Sequence, residues 1–76
     1  MPQVKWRVGQ FLKDHDKTAY AFMKASGLAQ MTAYRIANGE GEAVRLDTLG
    51  AVIAGLETMT GKAVGLEDLF EVVRDA

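Results

Sequence analysis

Residues 18–39 read TAYAFMKASGLAQMTAYRIANG, and Gly27 divides this stretch into two pieces, each too short to be a stable helix alone. Thr18 is an acceptable N-cap, and AYAFMKAS after it holds no breaker, which predicts a helix of about two turns closed by Gly27 in the left-handed conformation. A second helix is predicted from about Ala29 to Ala37, stopped by Asn38-Gly39, a dipeptide that accepts positive φ cheaply. With about 100° per residue, Ala29, Ile36 and Ala37 fall on the side of Ala33, while Met31, Tyr34, Arg35 and Asn38 fall opposite. No Asp or Glu occurs between Lys17 and Asn38. The outer side of this helix therefore carries Gln30, Met31, Thr32, Tyr34 and Arg35 without a single carboxylate.

The flanks supply a helical setting. Val4, Val8, Phe11 and Leu12 recur at the spacing of an amphipathic helix that ends near the polar DHDK of residues 14–17. GEGEAV at 39–44 is a loop by composition. Leu46, Leu49, Ile53 and Leu56 mark a fourth helix, with Asp47 in the first turn where the dipole favours an acid. Thr58 to Gly65 breaks it, and Leu66, Leu69, Phe70 and Val73 form a last short apolar face. Strand alternation is nowhere convincing. The expectation is an all-α fold, a compact five-helix bundle forming one domain over residues 1–76; a chain of this size buries only about 60% of its unfolded surface and has room for one core.

Composition narrows the function. Cysteine is absent, which removes disulfides, thiolate metal sites and a cysteine nucleophile together. No apolar run is long enough to span a bilayer, and MPQVKWRV lacks the apolar core of a signal peptide, so a cytoplasmic, non-membrane protein is expected. The net charge of −1 conceals a division: residues 1–39 hold six cations against two acids, and residues 40–76 hold three against eight. Such asymmetry suggests that the basic half faces a polyanion.

A three- to four-residue turn between two short helices is the spacing of a helix-turn-helix, whose second helix lies in the DNA major groove. The segment from Thr18 through Gly27 to Asn38-Gly39 also resembles the helix-turn-helix of the Cro/phage-repressor (XRE) family of transcriptional regulators. The similarity continues through RLDTL at 45–49 and more weakly through VGLEDLF at 64–70, so it covers nearly the whole chain. It implies a lambda-repressor-like DNA-binding domain that acts as a regulator, a repressor by steric occupation of an operator. Double-stranded DNA is then the partner and a homodimer the assembly.

The same resemblance assigns roles to residues. Gln30, Met31 and Arg35 are base-edge candidates: Arg35 can pair bidentately with guanine, Gln30 with adenine, and Met31 offers apolar contact only. Thr32 and Tyr34 are open between base and phosphate. Lys17, Thr18, Asn38 and Arg45 are phosphate candidates, which position the protein without specifying sequence. Four departures from the family pattern stand out. Ala19 replaces the usual glutamine and Ala29 the usual capping serine. Met23 and Ala33 exchange large and small volumes between the two helices. Glu40 and Glu42 occupy a loop that is often basic in the family.

Other chemistry is weaker. His15 lies between Asp14 and Asp16, but adjacent residues do not converge on one ion and no second histidine exists. The pairs Glu40/Glu42 and Glu67/Asp68 are accounted for by solubility and helix dipoles. There is no glycine-rich phosphate loop and no nucleophile with an adjacent base, so neither an enzyme nor a cofactor is expected. Met23, Met31 and Met59 read as core or interface filler, and Trp6 as packing under the C-terminal segment or as part of an interface. The competing reading is a protein-interaction module on the same fold, such as the antitoxin component of a toxin-antitoxin pair, whose working surface is the acidic half.

Overall fold

The computed structural model describes residues 2–40 and 43–74; the expected loop residues Gly41 and Glu42 lie outside them. The chain runs β1 (Gln3–Trp6), α1 (Val8–Asp14), α2 (Ala19–Ser26), α3 (Gln30–Ala37), α4 (Leu46–Thr60), α5 (Leu66–Leu69) and β2 (Phe70–Val73). It is mostly helical, as the periodicity requires, and five helices are present among the described residues.

The two ends depart from the expected all-helical course. Residues 3–6 and 70–73 form a two-stranded antiparallel sheet in which Val4 faces Val72, Lys5 faces Glu71 and Trp6 faces Phe70. The Val4 to Leu12 stripe is therefore split, with Val8, Phe11 and Leu12 on α1 and Val4 on a strand. The last apolar face is likewise a single helical turn that hands over to β2 at Phe70. Valine and aromatic side chains suit a pleated surface better than a helix end. The Trp6 and Phe70 rings lie with centroids 4.6 Å apart and close the ribbon over the core. Pairing between segments so far apart in sequence leaves no local periodicity to read.

The core consists of Val8, Leu12, Phe22, Ala33, Ile36, Val52, Leu56, Val64 and Leu69. Each helix contributes one or two of these side chains, and no polar or charged side chain is buried among the described residues. The fourth helix is rotated from its expected setting. Val52, Gly55 and Leu56 are buried, Leu49 and Ile53 only half so, and Leu46 is 83% exposed. The cause is the approach of α2: a Cβ built on Gly55 would lie 2.8 Å from the Ser26 Cα, so the glycine is what lets the two helices touch. Gly9 plays the same part between α1 and α3, where a Cβ would lie 2.5 Å from the Ala37 carbonyl oxygen.

Candidate nucleic-acid interface

The geometry of α3 is set at its two ends. Thr18 caps the preceding helix, its Oγ1 accepting from the Ala21 amide at 3.1 Å, and Gly27 ends that helix in the left-handed region at φ 73°. The turn then carries the chain through Leu28 and Ala29 into α3. Ala29, expected on the apolar edge, is instead the exposed residue at the helix start and gives no side-chain cap. At the far end the amides of Gly39 and Glu40 bond the carbonyls of Ile36 and Arg35. This is a Schellman closure with Gly39 at φ 77°.

Between these ends only Ala33 and Ile36 are fully inserted into the core. Gln30, Met31, Thr32, Arg35 and Asn38 are all exposed, Met31 by 74%. Tyr34 differs from the expectation for an outward residue. It is half-buried and packs against the core, so it braces the helix as well as bordering its outer side. A shallow groove of about 570 Å³ runs over Gln30, Met31, Tyr34, Arg35 and Asn38. Glu40 borders the same groove, the one carboxylate among the described residues that does.

Beside it a smaller cleft of about 220 Å³ separates α3 from the start of α4. Thr32, Arg35 and Glu40 line one part of it, and Arg45, Thr48 and Trp6 another. Arg35 thus belongs to both depressions, and Arg45, at the uncapped start of α4, comes to the same region despite lying ten residues later. Lys17 and Thr18 are exposed at the beginning of α2. The Lys17 amide bonds the Leu12 carbonyl at 2.8 Å, which fixes the backbone there. The arrangement offers guanidinium, amide and hydroxyl groups on one helix face, with an apolar Met31 among them. These groups can donate and accept hydrogen bonds.

Several contributors are not legible in the sequence. Tyr20 is 54% exposed on α2 with the Lys24 ammonium 5.2 Å from its ring centre, a cation–π contact that orders both. Their spacing of four is the only local signal. Trp6 reaches the Arg35 and Arg45 cleft from a strand that local periodicity does not reveal. His15 packs flat on Phe11, with Nδ1 2.9 Å from the Phe11 carbonyl oxygen. Among the described residues no group of three or more potential ligands is placed to hold a metal, and no helix is long and apolar enough to cross a membrane. Comparison of the chain with protein-family models, with curated proteins and with solved structures returned no match.

Proposed function

We infer that the chain is a sequence-specific DNA-binding regulator, a repressor, with a lambda-repressor-like domain that reads the major groove through α3. The observation that carries this reading is the outer face of α3, where Gln30, Met31, Thr32 and Arg35 stand exposed while Ala33 and Ile36 anchor the helix from behind. A groove-entering helix needs such a division, because carboxylates on the outer face would be repelled by phosphates. Arg35 and Gln30 supply the bidentate geometry for guanine and adenine, and Met31 an apolar contact to a thymine methyl. Lys17, Thr18, Asn38 and Arg45 flank them as backbone contacts. One such helix gives little affinity, so the working unit is a homodimer on two half-sites about 34 Å apart.

Selection of bound duplexes from a random library tests the reading. A palindromic consensus with two half-sites is the expected result. Absence of duplex affinity even at low salt would overturn it.

A further inference from the structure

We propose that the outer edge of β2 pairs antiparallel with the same edge of a second copy, centred on Val72, giving a four-stranded sheet across a two-fold axis. This supplies the surface for the dimer invoked above, but it needs no DNA and is tested without any.

The hydrogen-bond phase of the ribbon shows which groups are free. Continuing the pairing register one step beyond Trp6 and Phe70 brings Arg7 opposite Leu69, and the Arg7 amide bonds the Leu69 carbonyl. In an antiparallel ladder bonded and non-bonded pairs alternate. Lys5 with Glu71 and Gln3 with Val73 are therefore the other bonded pairs, while the amides and carbonyls of Val4, Trp6, Phe70 and Val72 point away from the ribbon. The Phe70 amide is already used by the Leu66 carbonyl. The open groups of β2 are the Phe70 carbonyl and both groups of Val72, and the same phase turns those of Arg74 outward.

The two edges are not equivalent. On the β1 side the alternation brings Pro2, which has no N–H, to the next outward position, and pairing centred on Lys5 would set two lysines face to face. On the β2 side a register centred on Glu71 would oppose two glutamates. The register centred on Val72 avoids both conflicts. Two Val72 residues exchange N–H···O bonds on the axis, and each Arg74 amide reaches a Phe70 carbonyl. Glu71 then faces Val73 of the second copy.

Side chains favour the same register. Val4 and Val72 share the ribbon face of Trp6 and Phe70, but Trp6 and Phe70 are half-buried whereas Val4 and Val72 are 66% and 54% exposed. Pairing on Val72 aligns Val4, Val72 and their two counterparts in one apolar row across four strands. Moving the centre to Val73 would put Val72 against Arg74 and break that row. Because the edge meets its own copy, the contact is self-complementary and closes at two chains.

Val72→Pro removes the outward N–H without touching a bond between β1 and β2, as proline is tolerated only where its N–H position faces away from the ladder. Sedimentation equilibrium of the wild type without DNA should give twice the 8.3 kDa chain mass. Val72→Pro should weaken the association about thirtyfold, through loss of two symmetry-related bonds, with the emission of Trp6, the single tryptophan, unchanged. Because the chain has no cysteine, Val72→Cys should oxidise to a covalent dimer, since opposed Cα atoms about 5.5 Å apart suit a disulfide. Val4→Cys should remain single. A monomeric wild type at submillimolar concentration would overturn the proposal. So would a dimer untouched by Val72→Pro, faster cross-linking of Val4→Cys, or assemblies that grow with concentration through head-to-tail pairing of β1 with β2. If Val72→Pro shifts the Trp6 emission, the two cysteine variants decide alone.

Discussion

Thr18 and Ala29 open the two helices of one motif in opposite ways: the first bonds the Ala21 amide, and the second leaves its helix start without a side-chain partner. Replacing Thr18 by Ala should cost about 1 kcal/mol, and Ala29→Ser should recover a comparable amount, both read as shifts of the denaturant midpoint. Both positions were legible in the sequence, because a cap is decided by one side chain and its neighbours' amides. The left-handed residue after α1 was not. Asp16 takes φ 56° there, a conformation that glycine adopts without strain. Asp16→Gly should leave the Lys17 to Leu12 bond intact and hold or raise the midpoint, whereas Gly39→Ala should lower the midpoint through a loss of about 1 kcal/mol in stability. On the outer face of α3, Arg35→Ala should lose about 1–3 kcal/mol of discrimination at one base position. Lys17→Ala should weaken every duplex alike and reduce the salt slope by about one. Equal losses for both variants on specific and scrambled duplexes would remove Arg35 from the base-reading set.

At the level of the element, the helix contacts depend on small residues whose partners lie elsewhere in the chain. Gly50 and Gly55 sit five residues apart on α4, yet a Cβ at Gly50 would meet nothing within 4 Å while one at Gly55 would strike Ser26. Gly50→Ala should therefore stabilise the protein by up to about 1 kcal/mol through helix propensity. Gly55→Ala should destabilise it by about 1–3 kcal/mol through overpacking, a fall in Tm of several degrees for a domain of this size. Thermal unfolding of the two variants separates these signs directly. Ala33 and Met23 give a related test. Ala33 is fully buried and Met23 packs on the same core, so Ala33→Leu should destabilise, and adding Met23→Ala should restore part of the loss. The existence and order of the helices were readable from apolar spacing. The face that α4 turns inward was not, because Leu46, Leu49, Val52, Ile53, Leu56 and Met59 form one apolar stripe too broad to fix its own centre, and the close approach at Gly55 decides it.

Over the whole molecule, charge and topology act together. The acid-free run from Lys17 to Asn38 includes α2 and α3, while the strongly acidic half includes α4 and α5. Duplex affinity should fall with salt at a slope on the order of two per chain if Lys17 and Arg45 are the cations that neutralise phosphates. A titration across ionic strength measures this, and a slope near zero would place those residues away from the backbone. The sequence by itself determined a mostly helical fold, the caps of α2, the left-handed Gly27 and Gly39, and the carboxylate-free face of α3, because each depends on residues within one or two turns. Tertiary structure alone decided the β1–β2 ribbon, the rotation of α4, the inward lean of Tyr34 and the meeting of Trp6, Arg35 and Arg45 around one cleft. These features arise from contacts between segments far apart in the chain, where the free energy belongs to the pair and neither partner's local pattern records it.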